Sequence, residues 1–128
     1  MKIVGIGTDI VSTSRIKAIW DRFGSAFAKR ILATSELVRL ELSRDPVSFL
    51  AKRYAAKEAV AKALGTGFRP EGILLREISV NNNALGRPYL EFSGEAEREM
   101  VRCRVVESHL TLSDEKEFAV AFVILVSQ

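Results

Sequence analysis

The chain has 128 residues, and 19 lysines and arginines against 16 acidic residues give it a net charge of +3. Hydrophobic residues make up 48% and charged residues 27%, which is typical of a folded domain and excludes low-complexity and disordered proteins. The length predicts a single domain over residues 1–128. Cys103 is the one cysteine, so no intrachain disulfide can form, and we expect a reducing, cytoplasmic location.

No segment predicts export or membrane insertion. The N-terminal residues lack the apolar region and the cleavage site of a signal peptide. The longest apolar run, residues 118–126, is far shorter than the ~20 residues that cross a bilayer. We therefore expect a protein that is neither secreted nor bound to a membrane.

The first predicted element is a strand over residues 2–11. Its alternation places Gly5, Gly7 and Asp9 on one face, where two glycines beside a carboxylate allow another group to approach closely. Residues 12–14 are candidate caps for a helix that follows and ends at Gly24.

The strongest helix signal starts at Asp45 and Pro46, a capping carboxylate followed by proline in the first turn. Six alanines favour a helix that continues to Leu64, and residues 65–67 end it. Two further short helical stretches are predicted between Gly24 and this helix.

The second half of the chain predicts mostly strands. Residues 78–80 and 89–92 are strand candidates, a charged helix runs from Ser93 or Gly94 to Arg102, and residues 105–112 and 118–126 form a hairpin. Helices combined with mostly antiparallel strands in this order indicate the α+β class.

The helix over residues 46–64 carries the first candidate site. Glu58 and Lys62 are four residues apart and share a face, which Ala51 and Ala55 flank. Small side chains around an acid and a cation would leave an open strip for a ligand. The simpler interpretation is a solvated ion pair on a helix surface, and the helix alone favours it.

Asp9 adds a second carboxylate from a separate element. Its simpler role is a helix cap, whereas its functional role would be a metal ligand beside Glu58. Mg²⁺ takes one or two protein carboxylates and completes its shell with water and phosphate oxygens. Together with Arg53, Lys57 and Lys62, these residues suggest a pyrophosphate site.

Two weaker candidates lie elsewhere. His109 alternates with polar residues on its strand, and a half-exposed strand histidine is the simpler interpretation. The turn Gly65-Thr66-Gly67 could cradle a phosphate through its N–H groups, although the spacing alone favours a plain helix cap. Nucleic-acid binding is disfavoured, because basic and acidic residues are interleaved and aromatics make up only 8%.

Two motifs together resemble the small 4′-phosphopantetheinyl transferases that modify acyl carrier proteins. Residues 5–10 resemble the opening motif of this family, and residues 49–63 look like its second motif, which continues into residues 65–67. Residues 27–37, 86–88 and 109–114 fit its other segments, so the likeness covers essentially the whole chain.

The resemblance implies an α+β fold, a homotrimer with active sites between subunits, and Mg²⁺ as the metal. The implied reaction moves 4′-phosphopantetheine from coenzyme A to a serine of an acidic acyl carrier protein and releases adenosine 3′,5′-bisphosphate. The alternative is a module that binds coenzyme A or another nucleotide without catalysis.

By position, the resemblance assigns roles to nine residues. Asp9 and Glu58 match the metal-binding carboxylates and, with Lys62, the catalytic group. The cofactor-binding positions are Arg53, Lys62, Gly65, Thr66, Gly67 and His109, and Arg15 matches a carrier-binding arginine. Arg22 is a carrier-binding candidate because it shares a basic helix face with Arg15, which would steer an acidic partner. Tyr54, where phenylalanine is usual, and Asp114, where some members have histidine, depart from the pattern without touching the metal motif.

Overall fold

The computed structural model describes residues 1–67 and 72–128. Within these residues the chain forms a three-stranded sheet, a two-stranded hairpin and five α-helices. The elements are β1 (Lys2–Ser12), α1 (Thr13–Phe23), α2 (Ser25–Ile31), α3 (Thr34–Glu41), α4 (Pro46–Leu64), a 3-10 turn (Leu75–Glu77), β2 (Ile78–Asn82), β3 (Pro88–Phe92), α5 (Gly94–Arg102), β4 (Val105–Asp114) and β5 (Phe118–Ser127).

The expected helix boundaries are confirmed because the capping chemistry is local. Asp45 Oδ1 accepts the N–H of Ser48 at 3.0 Å and so starts α4. Gly65 ends it in the left-handed conformation with φ 76°, a backbone geometry that glycine adopts without strain. Gly24 ends α1, as predicted, and its N–H donates to Trp20 O.

The larger sheet has β5 at its centre, antiparallel to both β1 and β4. One face of β5 is fully covered and carries Ala119, Ala121, Val123 and Leu125. These small and medium side chains give a shallow surface on which a helix can lie close to the strands. The smaller sheet pairs β2 with β3 in the expected antiparallel order.

Helix α4 lies across this covered face and crosses β1 at its two glycines. A Cβ built at Gly7 would overlap the carbonyl oxygen of Ala59, and one at Gly5 would overlap that of Ala63. The glycines therefore allow the helix backbone to rest directly on the strand. This contact confirms the expectation that Gly5 and Gly7 admit a close neighbour.

α4 is buried around most of its circumference, so it forms the centre of the domain. Leu50, Ala56 and Val60 are fully buried, and so are Ala51 and Ala55. The open strip that we expected along Ala51 and Ala55 is therefore absent, because other parts of the chain cover these methyl groups. The mixture of helices and antiparallel strands confirms the α+β class.

Across residues 1–67 and 72–128, no helix combines the length and the apolarity needed to cross a bilayer.

We predict that Gly7→Ala destabilises the protein by roughly 2 kcal/mol or more, since the added methyl group would be forced into a packed interior. Urea denaturation measures the free energy of unfolding. Lys2→Ala, at the exposed start of β1, is the control and should change it by less than ~0.5 kcal/mol. Equal stability of Gly7→Ala and wild type would contradict the close contact between β1 and α4.

Candidate active site

The centre of the candidate site is an ion pair between β1 and α4. Lys62 Nζ donates to Asp9 Oδ1 at 2.9 Å and to the carbonyl oxygen of Thr8 at 3.0 Å. The Lys62 side chain is 56% exposed, whereas that of Asp9 is 15% exposed. An accessible ammonium thus covers a mostly buried carboxylate, which the glycine contact brings to the side of α4.

Glu58 lies one helical turn before Lys62 and is half-buried. Burial raises the pKa of its carboxyl, and the negative charge of Asp9 raises it further. The neighbouring Tyr54 hydroxyl and the positive charge of Lys62 oppose that shift. The folded protein therefore holds this proton more tightly than the unfolded chain does. The contribution of Glu58 to the free energy of unfolding is full below the ordinary glutamate pKa and is lost as pH rises through the raised pKa.

The donor set fits a hard divalent cation such as Mg²⁺. Asp9 and Glu58 come from separate elements, and the pKa of Glu58 is raised partly by Asp9, a repulsion that a cation between them would relieve. In the part of the chain that the structure describes, no group of three or more His, Cys, Asp or Glu residues could hold a metal. Two carboxylates leave the other positions to water and phosphate, as Mg²⁺ prefers.

Tyr54 belongs to this cluster, although no role was assigned to it from the sequence. Burial raises the pKa of its phenol, and the negative charge of the neighbouring Glu58 adds to the shift. The signal available in the sequence was the spacing of four residues on one helix. Tyr54 also lines an apolar cavity of about 670 Å³ together with Ile19, Phe23, Ala26, Phe27, Arg30, Ile31, Ile73, Leu74, Leu75 and Arg76.

Arg53 and Lys57 do not join this cluster, although they were expected to contribute to a pyrophosphate site. Arg53 is 5% exposed and donates to Asn82 Oδ1 at 3.2 Å, and burial lowers its pKa to about 10. Lys57 is fully buried beside Glu36. Both side chains make their contacts inside the protein. Contact between Arg53 and a nucleotide therefore stays a prediction.

His109 lies on the opposite face of the larger sheet from Asp9. It is paired with Ile124 in the register of β4 and β5, and it contacts Glu107 at 3.1 Å. It lines a separate cavity of about 270 Å³ with Asn83, Arg87, Pro88, Tyr89, Ser108 and Leu110. Within one chain, His109 therefore does not meet the carboxylates.

The turn after α4 is partly committed to ending the helix. The N–H of Gly65 donates to the carbonyls of Ala61 and Lys62, and that of Thr66 donates to Ala61. These two N–H groups are used by the helix cap, which was the plainer interpretation of the turn. Gly67 is the last residue of the first described range, and its contact with a nucleotide stays a prediction.

Arg15 and Arg22 are both exposed on α1, where they could meet a partner. Arg15 is near enough to Tyr54 for its charge to lower the pKa of that phenol, so it lies on the side of the carboxylate cluster. Arg22 lies a further two turns along α1 and packs over the Phe23 ring at 5.1 Å.

Comparison with known proteins gives one consistent family. Residues 5–123 match the model of the 4′-phosphopantetheinyl transferase superfamily. The holo-[acyl-carrier-protein] synthase of Halorhodospira halophila is 50% identical over 125 residues, covering 98% of this chain and 98% of that protein.

Solved structures agree. The crystal structure of holo-[acyl-carrier-protein] synthase from Neisseria meningitidis has a TM-score of 0.92 and 41% identity, covering 98% of this chain and all of that one. The enzyme from Bacillus anthracis, in complex with coenzyme A (3′,5′-ADP), has a TM-score of 0.81 and 38% identity, covering 98% of each chain.

We predict that Asp9→Asn lowers the pKa of Glu58, since it removes the negative charge that raises it, and that Lys62→Met raises that pKa, since it removes an opposing positive charge. Titration of the glutamate carboxyl carbons by NMR, without divalent cations, measures both shifts. Glu97→Gln, an exposed change on α5, is the control and should leave the pKa of Glu58 in place. Shifts in the reverse directions would contradict this arrangement of charges.

Proposed function

The chain belongs to the 4′-phosphopantetheinyl transferase superfamily, and from that membership we propose that it is a holo-[acyl-carrier-protein] synthase. It transfers 4′-phosphopantetheine from coenzyme A to a serine of an acyl carrier protein and releases adenosine 3′,5′-bisphosphate. The observation that carries this proposal is the meeting of Asp9, Glu58 and Lys62 between β1 and α4.

Asp9 and Glu58 would hold Mg²⁺, which fits their donor chemistry as described above. When bound, Mg²⁺ offsets negative charge on the pyrophosphate of coenzyme A. Lys62 is already at the site and is largely exposed, so its ammonium can turn from Asp9 to a phosphate oxygen. A fixed positive charge at that point stabilises the charge that develops on the leaving phosphate.

The reaction needs a base, because a serine hydroxyl is a weak nucleophile. The serine oxygen forms a bond to the β-phosphorus while the bond from that phosphorus to the bridging oxygen breaks, and the leaving nucleotide takes the electron pair. We assign the serine proton to Glu58, directly or through one water. Glu58 is a half-buried carboxylate beside Asp9 and Lys62, and a carboxylate positioned at the reacting centre can accept a proton from the attacking hydroxyl.

The nucleotide of coenzyme A is placed in this proposal near Arg53, residues 65–67 and His109. The cavity beside His109 also contains Arg87, so it offers positive charge to a phosphate. Because His109 and Asp9 face opposite sides of one sheet, a site that uses both requires two copies of the chain. We therefore propose that the active site lies between subunits.

The uncovered face of the larger sheet supports such an assembly. Ile6, Ile10 and Phe122 lie on it and are 60%, 63% and 38% exposed. A contiguous apolar face of this kind is typical of a protein interface. We propose that each copy is one domain over residues 1–128, that the copies form a homotrimer, and that the protein works in the cytoplasm. Sedimentation velocity distinguishes the trimer from a monomer.

The decisive experiment measures the intact mass of an apo acyl carrier protein after incubation with this protein, coenzyme A and Mg²⁺. We expect a gain of one phosphopantetheine group, and EDTA should prevent it. Asp9→Asn and Glu58→Gln should each lower the rate at least ~100-fold, a typical contribution of one electrostatic contact at a reacting centre. Glu97→Gln is the matched control. No gain with coenzyme A still bound would favour the non-catalytic module.

We further predict that Arg15→Glu weakens binding of the acidic carrier about tenfold or more, because α1 would lose the attraction that steers the partner to the site. Binding of coenzyme A should not change. Calorimetry with each ligand separates the two effects, and Arg98→Glu on α5 is a charge-reversal control outside the site. Equal carrier affinity of Arg15→Glu and wild type would remove Arg15 from the docking surface.

A further inference from the structure

Three charged side chains are buried on α4 and α3, away from the carboxylate cluster. Glu36 and Lys57 are 0% exposed and Arg53 is 5% exposed. Burial of charge is costly unless each charge is paired and hydrogen-bonded. The proposed reaction uses neither Glu36 nor Lys57, so their presence in the interior requires another explanation.

The Lys57 ammonium has a partner for each of its three protons. It donates to Glu36 Oε1 at 2.7 Å, to the carbonyl oxygen of Leu75 at 3.2 Å, and to the carbonyl oxygen of Ile78. These acceptors belong to α3, to the 3-10 turn and to the start of β2. Three acceptors in fixed positions define where the Lys57 side chain, and hence this point of α4, must lie.

Glu36 holds the other side of this arrangement. Its Oε1 also accepts the N–H of Ala33 at the start of α3 at 2.9 Å, and its Oε2 accepts the N–H of Val80 in β2 at 3.0 Å. The carboxylate is therefore held by two backbone N–H groups in addition to Lys57. Backbone anchors of this kind leave little freedom for the pair to shift.

The geometry of α4 connects this pair to the candidate active site. Successive residues of a helix are turned by about 100°, so Lys57, Glu58 and Ala59 point in three different directions. Ala59 rests on Gly7 of β1, and Lys57 is tied to the 3-10 turn and β2. Glu58 lies between these two attachments, and its direction relative to Asp9 depends on both.

We propose that Lys57, held by Glu36, is a positioning residue that fixes the rotation of α4 and thereby the placement of Glu58 opposite Asp9. This role rests on the proposed function, because it acts through a metal ligand of that reaction. The contacts of Ala59 and Ala63 with β1 are steric and involve no side-chain hydrogen bond. The three directed hydrogen bonds of Lys57 add a constraint on the rotation of α4.

The choice of charged residues supports a positioning role over a purely stabilising one. A buried ion pair gives little net stability compared with apolar side chains of similar size. Leucine or methionine at both positions would fill the space but would fix no direction. The pair is therefore better explained by the geometry that it imposes than by the stability that it adds.

The test removes the charges of Glu36 and Lys57 together, so that neither is left without the other. Arg53, whose Nε lies 3.8 Å from Glu36 Oε2, keeps its hydrogen bond to Asn82. The paired variant Glu36→Gln/Lys57→Met keeps the size of both side chains. We expect it to fold with a lower melting temperature, because one amide oxygen replaces two carboxylate oxygens that accept backbone N–H groups. We expect its turnover number to fall roughly 10- to 100-fold, with a similar rise in the Mg²⁺ concentration for half-maximal rate. The KM for the carrier should change little.

A second readout does not depend on turnover. Direct binding of Mn²⁺, followed by electron paramagnetic resonance, should weaken in the paired variant by the same factor. Lys52→Met, another lysine of α4 outside both clusters, is the matched control and should bind Mn²⁺ and turn over like wild type. A paired variant that binds Mn²⁺ and turns over like wild type would overturn the positioning role.

Lys57→Arg provides the test if the paired variant fails to fold. It keeps the charge beside Glu36, but its planar guanidinium cannot place donors at the same three acceptors. We expect the same loss of Mn²⁺ affinity, and wild-type affinity would overturn the proposal. A wild type that transfers nothing would instead contradict the proposed function, so the two failures are distinguishable.

Discussion

The backbone of α4 rests on β1 at two positions where no side chain lies between them. Gly7 faces the carbonyl of Ala59 and Gly5 faces that of Ala63, and a methyl group at either glycine would overlap the helix. This contact brings the helix closer to the sheet than ordinary side chains would allow. As a result, Asp9 on the strand and Lys62 on the helix meet at 2.9 Å, which is the interaction that defines the candidate site.

The same helix has a second attachment on another side. Lys57 is fixed by Glu36 and by backbone carbonyls of the segment that leads into β2. α4 is thus held by a non-directional steric contact and by directed hydrogen bonds. Glu58 projects between the two, so the placement of one carboxylate depends on interactions of its immediate neighbours in the chain. This arrangement separates the charges that do chemistry from the charges that fix geometry.

The two faces of the larger sheet differ in burial, since α4 covers one face and leaves the other exposed. The face under α4 is closed by Ala119, Ala121 and Val123, which carry no chemistry and let the helix approach. The other face keeps Ile6 and Phe122 exposed, and His109 lies on that side. A single chain therefore holds the carboxylates and the histidine apart, and the proposed assembly of copies is the arrangement that would bring them together.

Much of the fold could be predicted from the sequence, because the signals that mark its elements are local. Asp45 and Pro46 start α4 and Gly65 ends it through hydrogen bonds within a few residues. The alternation of β1 predicted that its glycines share a face with Asp9. The i, i+4 spacing of Glu58 and Lys62 placed them on one side of the helix. Periodicity and capping are properties of short segments, so they can be recognised without knowledge of the tertiary structure.

The partners of the charged residues could not be predicted, since they depend on segments distant in sequence. Arg53 and Lys57 have the same spacing as Glu58 and Lys62, yet they face the interior. There Arg53 donates to a residue of β2, and Lys57 pairs with Glu36. Ala51 and Ala55 are covered instead of lining an open strip. Local patterns in the sequence are enough to assign the helices and strands and the residues that share a face. The identity of the buried faces follows from the tertiary structure, because burial is set by contacts between distant elements.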